Sequence, residues 1–452
     1  MSSKSAIILA AGKGTRMKSD NPKVLCEVLF KPMINWVINS CRDACIDNIC
    51  AVTGYKSELV EAVLDDEIAV AIQHEQKGTG HAVMMAKDFL EAHIDGDVIV
   101  LCGDAPFMDS TTIQNAYDLH KNQNNAITVI TARLDNPMGY GRIVRNRYGI
   151  KKIVEQKDAS SNELLINEVN SGAYWFNVRY LLDVLFDVDD SNSQGEYYLP
   201  DTVALSLGKG RKVNAYISDN PDVILGANSR RDLCSLNNIA NAKVIDNHFD
   251  NGVEFVSLDG VLISPEVEIG KGTVILPSTI LKGTTKIGEG CSIGPNSVIE
   301  NSKIENNVVF NSSQCYNSII ENNATIGPFC HIRPNSTIKE GVHLGDFVEI
   351  KNSVIGEGTH VSHLTYVGDS DVGKRVNFGC GVVTVNYNGK QKNRCTIEDD
   401  AFIGCNTNLI APVTVHERGY TAAGSTITDD VPSESLAIAR ARQSIKEGYN
   451  KK

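Results

Sequence analysis

A six-residue rhythm in the second half of the chain constrains its fold more than any other feature. Counting in sixes from Ile263 meets Ile269, Ile275, Leu281, Ile287, Ile293 and Ile299. After a slip the count resumes at Ile320, Ile326, Ile332, Ile338, Leu344 and Ile350, and returns at Ile397, Ile403, Leu409 and Val415. A helix repeats about every 3.6 residues and a strand every two, so neither fits. A flat-walled parallel β-helix does, with one aliphatic side chain per wall facing inward. Glycine often follows the aliphatic residue, as at Gly270, Gly288 and Gly327, where the chain must turn a corner. The rhythm spans roughly 252–428 and breaks once, at 384–394 (TVNYNGKQKNR), a loop expected to project from the prism. The closing segment leaves the rhythm and is basic, with Arg440, Arg442, Lys446, Lys451 and Lys452.

The first half reads differently. Short apolar runs at 6–9, 49–52 and 98–101 predict strands, and a helical pattern is expected over 21–39. Strands alternating with helices predict a doubly wound, Rossmann-like α/β sheet, whose ligands lie beyond the carboxyl ends of the strands. The stretch after Arg230 lacks Gly and Pro and predicts a connecting helix. The expected organisation is therefore an α/β domain at 1–230, a linker helix at 231–251 and the β-helix with its tail at 252–452. No run is apolar enough to span a bilayer, which argues against a membrane partner. A net charge of −12 argues against nucleic acid. Twelve cysteines without C-x-x-C pairs read as reduced thiols and predict a cytoplasmic address.

Candidate chemistry begins where the first strand ends, at Leu9-Ala10-Ala11-Gly12-Lys13-Gly14-Thr15-Arg16-Met17. Small residues there let backbone N–H groups approach phosphates or a base, and Lys13 and Arg16 add charge. The spacing is neither a Walker A loop nor a dinucleotide fingerprint. Lys23 offers a second cation, and Gln73 with Gly78-Thr79-Gly80 offers an amide and a flat approach for a base edge. Asp104, after Cys102-Gly103, suits Mg²⁺ bridged to phosphates, or equally a helix cap. In the second half, His331, His343, His360, His363 and His416 are each more often wall residues than catalysts.

Taken together, the glycine loop, Pro22-Lys23, Gln73 with Gly78-Thr79, and Gly103-Asp104 resemble the sugar-1-phosphate nucleotidyltransferases. Gly139-Tyr140-Gly141-Arg142, Val154-Glu155-Gln156-Lys157-Asp158, Asn170-Ser171-Gly172 and Gln194-Gly195-Glu196-Tyr197-Tyr198 extend the match. Joined to the hexapeptide half, the whole chain resembles the bacterial bifunctional N-acetylglucosamine-1-phosphate uridyltransferases and glucosamine-1-phosphate acetyltransferases. That resemblance implies a nucleotidyltransferase domain followed by a left-handed parallel β-helix, assembled as a homotrimer. It implies that acetyl-CoA acetylates glucosamine 1-phosphate at the second domain. UTP and N-acetylglucosamine 1-phosphate then give UDP-N-acetylglucosamine and pyrophosphate at the first, for peptidoglycan and lipopolysaccharide precursors.

By the same resemblance, Leu9, Ala10, Ala11, Gly12, Gln73, Gly78 and Thr79 cradle the uridine. Arg16 and Lys23 neutralise the triphosphate, Cys102 and Gly103 are among the substrate-binding residues, and Asp104 and Asn228 hold Mg²⁺. Gly141, Glu155 and Asn170 contact the amino sugar. His363, within Thr359-His360-Val361-Ser362-His363-Leu364-Thr365-Tyr366-Val367-Gly368, is the implied general base, because an amine attacks a thioester only as the free base. Arg333 and Lys351 are assigned to the sugar phosphate, and Tyr366 and Asn377 to the sugar. Asn386 and Tyr387 are likewise assigned to the sugar pocket and are counted with the cofactor-binding residues, and Cys380, Cys405, Ala423 and Arg440 lie along the acetyl-CoA path. Three residues depart from the family pattern: Cys405 where serine is common, Cys380 where alanine is, and Cys102 where tyrosine is. Two other readings remain: a nucleotidyltransferase whose β-helix is an oligomerisation or regulatory module, and a noncatalytic scaffold or sugar-nucleotide sensor.

Overall fold

The computed structural model describes residues 3–147 and 149–450, so the basic residues Lys451 and Lys452 lie outside the described residues. The chain divides into two compact units, 1–240 and 241–452. The helix Arg230–Asp250 contains that boundary.

In the first unit nine strands form one sheet: β1 (Lys4–Leu9), β2 (Asn48–Thr53), β3 (Ala69–Ile72), β4 (Asp97–Cys102), β5 (Ile127–Arg133), β6 (Arg142–Asn146), β7 (Gly149–Val154), β8 (Glu168–Asn177) and β9 (Val213–Ile217). Their order is β9-β5-β8-β4-β1-β2-β3, with the hairpin β6–β7 attached through β8. The strands β1, β2, β3 and β4 are mutually parallel and β9 is parallel to β5, whereas β8 runs antiparallel to β4 and β5, so the sheet is mostly parallel with one reversed strand on its main path. Burial on both faces explains the continuous apolar runs. Ile8, Ile99 and Leu101 pack with helix Met33–Asp43 on one face, and Ile7, Val98 and Val100 pack with helix Val178–Leu185 on the other. The helical pattern expected over 21–39 is replaced at its start by a 3₁₀ turn, Lys23–Leu25, and a two-rung hairpin, Glu27–Val28 with Lys31–Pro32. Pro22 and Pro32 flank that interruption, and the helix begins immediately after Pro32.

The second unit is a three-sided parallel β-helix. Among the described residues its sheets have eleven, ten and nine strands, and strands pair with the third strand before or after them except at the last, Leu436–Ala437. The rhythmic aliphatics face inward and stack: Ile269 on Ile287, Ile275 on Ile293, Leu281 on Ile299. The slip after Ile299 is no break in the prism. Ile304, Phe310 and Cys315 fill the inward positions there, because some turns are one residue shorter. One corner repeats a left-handed backbone at Asn301, Asn317, Asn335, Asn352 and Asp369. Asn and Asp are the side chains that tolerate that conformation best after glycine. The loop near 386–394 carries an isolated bridge between Tyr387 and Lys392, and the fold then resumes at Cys395–Ile397. The rhythm also runs one strand further than its apolar spacing indicates, since Leu436–Ala437 pairs with Tyr420–Thr421.

Candidate active sites

In the first unit the candidate residues gather where the strand order reverses, at the carboxyl ends of β1 and β4. Gly103 N donates to Leu9 O at 3.0 Å, joining the two strand ends. Ala11 O accepts from Tyr55 N, and the Gly12 α-carbon faces open space. Gly14 has φ +63°, and a Cβ there would stand 2.6 Å from Lys23 Cβ, so the loop closes against Lys23 only with glycine. The Gly78 turn is just as tight: its φ is +105° and a Cβ would meet Tyr197 O at 2.6 Å. Gly80 N donates to Tyr197 O and Tyr197 N to Lys77 O, clamping this turn to the Gly195–Tyr198 segment.

Four cationic and oxygen groups converge beside that loop. Lys23 forms an ion pair with Asp104 and donates to Asn228 Oδ1 at 2.9 Å, and Arg16 donates to the same oxygen at 3.2 Å. Asp104 and Asn228, far apart in sequence, thus point their oxygens at one cation. Among the described residues no group of three or more His, Cys, Asp or Glu could hold a metal. The donor set here is one carboxylate and one amide oxygen. It fits Mg²⁺, which takes few protein oxygens and completes its shell with phosphate and water.

Behind the loop lies a cavity of ≈ 260 Å³ lined by Leu9, Thr79, Cys102, Glu155, Asn170 and Gly172, among others. A β-bulge in β8 between Asn170 and Tyr174 turns Asn170–Gly172 over Cys102. Burial pushes the Cys102 thiol up to about 12, with the Asp104 charge adding to it, so that sulfur stays protonated and unreactive. Burial, then the charges of Asp158 and Asp201, raises the Glu155 carboxyl, while Arg142 opposes them. Arg142 itself is 2% exposed. It donates to Tyr140 O and to Gln156 Oε1, which also accepts from Gly139 N. This buried cation ties the Gly139–Tyr140 turn to Gln156, next to Glu155 of the cavity lining. Arg142 closes the Gly139-Tyr140-Gly141-Arg142 motif, whose spacing alone assigns it no role.

Two expectations need adjusting. Gln73 was expected to present a donor and an acceptor, but its Nε2 is already paired with Gly78 O and His81 Nδ1. The carbonyl is the half that remains. The Thr79 hydroxyl accepts from Leu199 N, so it braces the wall as well as lining the cavity.

In the second unit, register does the assembling. His363 ends the strand His360–His363 and is exposed at a corner, opposite Asp346 on the preceding coil. Glu349 and Tyr366 stack on one adjoining wall, and Asn377 stands on the other, above His360. Arg333 pairs with Glu349 at 2.8 Å. Lys351 pairs with Asp369 at 3.0 Å, and Asn352 and Asn386 also donate to that carboxylate. Burial pushes the Asp369 carboxyl up, yet these hydrogen bonds and the Lys351 charge hold it below its usual range. Asn386 further donates to Tyr366 OH, which ties the loop to the wall that carries Tyr366. Lys392, from the loop, is pulled below its usual value by the adjacent Lys351 ammonium, with Arg333 contributing. Three cations crowded together suit a phosphate dianion.

Lys392 and Asp369 were absent from the sequence reading. Asp369 was detectable in principle, as the one charged member of the corner asparagine column. Lys392 sits in an irregular loop and had no signal. Cys380, Cys405 and Ala423 continue the His363 corner coil by coil: Gly381 N donates to His363 O, Asn406 N to Cys380 O, and Gly424 N to Cys405 O. The Arg440 side chain reaches the Gly424 corner, while Tyr387 stays exposed.

Comparison with known proteins agrees with both halves. The nucleotidyl transferase family matches residues 5–222, and the bacterial transferase hexapeptide (six repeats) matches 266–301. A family described as the GMPPB C-terminal domain matches 314–387. The "Bifunctional protein GlmU" of Acetivibrio thermocellus is 50% identical over 98% of this chain and 96% of that protein. The proteins of the same name from Caldanaerobacter subterraneus and Clostridioides difficile are 48% and 46% identical, over 98% and 99% of this chain and 97% of each of theirs. The nucleotidyltransferase fold followed by a left-handed parallel β-helix is therefore the architecture of a recognised family, and this chain belongs to the bifunctional GlmU proteins.

Proposed function

We infer that the chain is a bifunctional enzyme that makes UDP-N-acetylglucosamine by acetyl transfer and then uridylyl transfer. The observation that carries this reading is the likeness to bifunctional proteins across both halves, at 98–99% coverage.

At the second unit, the amine of glucosamine 1-phosphate attacks the acetyl-CoA carbonyl, and His363 accepts the proton released. Arg333, Lys351 and Lys392 hold the phosphate, and Asp369 keeps Lys351 and Asn386 in place. Tyr366, Asn377 and Asn386 position the sugar beside His363. The cofactor lies along Cys380, Cys405 and Ala423, with Tyr387 and Arg440 at its edges.

At the first unit, a phosphate oxygen of N-acetylglucosamine 1-phosphate attacks the α-phosphorus of UTP in line, and pyrophosphate leaves. No protein nucleophile is needed, because the attacking oxygen is already anionic. Arg16 and Lys23 offset charge on the phosphates. The backbone of Leu9–Gly12, with Gln73, Gly78 and Thr79, holds the uridine, and Gly103 lets the chain pass close beneath it. Gly141, Glu155 and Asn170 hold the amino sugar in the cavity behind. Asp104 and Asn228 would hold Mg²⁺, which when bound neutralises phosphate charge.

We assign the working form as a homotrimer and its site of action as the cytoplasm. Phe329, Phe347 and Leu364 support the trimer. They adopt φ of +62°, +57° and +43° on successive coils and are all more than half exposed. Bulky apolar side chains in that backbone region are costly, and a neighbouring prism would cover them beside His363. Among the described residues no helix is long and apolar enough to cross a membrane.

The test is a chromatographic assay with glucosamine 1-phosphate, acetyl-CoA, UTP and Mg²⁺. Parallel reactions omit acetyl-CoA, supply the N-acetylated sugar, or add EDTA. UDP-N-acetylglucosamine dependent on acetyl-CoA, with acetyl transfer surviving EDTA and uridylyl transfer lost, is expected. Product from the N-acetylated sugar alone would reduce the β-helix to an oligomerisation module.

A further inference from the structure

Thiol exposure in the second unit is sharply divided. Cys291, Cys315, Cys330 and Cys395 are buried. Burial pushes Cys315 up to about 12 and Cys330 and Cys395 up to about 11, so these sulfurs stay protonated inside the prism. Cys380 is half-buried and Cys405 exposed, and these two are neighbours. Asn406 N donates to Cys380 O at 2.8 Å, which fixes them on consecutive coils at the same corner. The Cys405 sulfur also leans back over the earlier coil. It lies 2.9 Å from the point where a Cβ on Gly379 would stand, filling space that only a glycine leaves open.

We propose that Cys380 and Cys405 form a reversible disulfide across adjacent coils, a thiol-exchange site that takes low-molecular-weight disulfides as its oxidant. Neighbouring strands lie about 4.8 Å apart, inside the Cα separations that a disulfide spans. The same spacing slightly exceeds the Cβ separation that a relaxed disulfide prefers, so the bond draws the two coils together and remains easy to reduce. In the exchange, the Cys405 thiolate attacks a sulfur of glutathione disulfide and releases one glutathione thiolate. The Cys380 thiolate then attacks the Cys405 sulfur and releases the second. Two electrons pass from the protein sulfurs to glutathione, and the two thiol protons go to the two released thiolates. The corner being drawn together is the one on which Gly381 N donates to His363 O. Oxidation therefore narrows the edge beside His363. That consequence for activity rests on the acetyltransferase reading above, whereas formation of the bond does not.

The full chain is incubated with glutathione disulfide, mapped by alkylation and peptide mass spectrometry, assayed for both activities, and then reduced with dithiothreitol. The expected map shows a Cys380–Cys405 cross-linked peptide pair lighter by two hydrogens. Acetyl transfer is expected to fall at least about tenfold and to return on reduction, with uridylyl transfer unchanged. Cys405→Ser and Cys380→Ser, each compared with its own reduced rate, should lose this response. A Cys45→Ser/Cys234→Ser variant, which removes the exposed thiols of the first unit, should keep it. Both thiols still free after oxidation, or a stable glutathione adduct on Cys405, overturns the proposal. A cross-linked protein that has no acetyl transfer even when reduced sustains the thiol site and refutes the acetyltransferase reading instead.

Discussion

The two units build a site from opposite resources. In the first, Arg16, Lys23, Asp104 and Asn228 are scattered along the chain and meet because a reversal in strand order opens a crevice at β1 and β4. In the second, Asp346, His363, Cys380 and Cys405 meet because a repeat returns the chain to the same corner on each coil. A crevice site depends on long connections and close glycine contacts, such as Gly14 against Lys23. A ladder site depends on register, and its rigidity comes from a continuous inward column of aliphatics.

The sharpest way to break this comparison is to remove one key group from each site. His363→Ala is expected to lower acetyl transfer by about 10²-fold or more while uridylyl transfer stays within about twofold. Asp104→Ala should do the reverse. Loss of both activities from either change, in a protein that still folds, would falsify the reading of two separate sites.

Next in size is a core substitution that tests rigidity. Ile326 is fully buried in the prism, and Ile326→Ala should cost about 3 kcal/mol of stability. Thermal denaturation followed by acetyl-transfer activity would detect it. A change under about 1 kcal/mol would mean that the prism collapses around the gap instead of holding its register.

A smaller effect is expected from the residues that the sequence left silent. Lys392→Met should raise the KM for glucosamine 1-phosphate by about tenfold with a lesser change in kcat, since it removes one phosphate contact. Equal falls in kcat and kcat/KM would instead place Lys392 in the chemical step.

Of similar energy, but read through pH, is Asp97 at the start of β4, 1% exposed. Burial raises its carboxyl, but hydrogen bonds and charges from His120 and Lys121 outweigh burial and hold it at about 2. A pKa below the unfolded value of about 3.9 stabilises the fold above that pH, and the contribution is lost as pH falls toward 2. It amounts to about 2 to 3 kcal/mol. Urea unfolding of Asp97→Asn should show a loss of this size at pH 7 that shrinks toward pH 3. A loss independent of pH would assign the effect to packing.

Much of this was legible in the sequence. The inward residues from Ile263 to Val415 announced the prism, since a period of six with aliphatics has few other solutions. The strands ending at Leu9 and Cys102, and the glycine loop between Gly12 and Gly14, marked the crevice. The helix start after Pro32 was misread because a helical spacing of apolar residues also describes a short hairpin that feeds a helix. The antiparallel β8 was missed because a buried strand reads alike in either direction.

By itself the sequence determined the class of each half and most of the residue types that its chemistry needs, because periodicity and glycine spacing are local properties of the chain. Only the tertiary structure decided which of those residues share a charge. Lys23 bridges Asp104 and Asn228, Asp369 gathers Lys351, Asn352 and Asn386, Arg142 is buried between two loops, and Cys405 leans toward the coil of Cys380. Those pairings come from crossovers and coil stacking that bring distant residues within hydrogen-bond reach, and local spacing along the chain does not encode such distances.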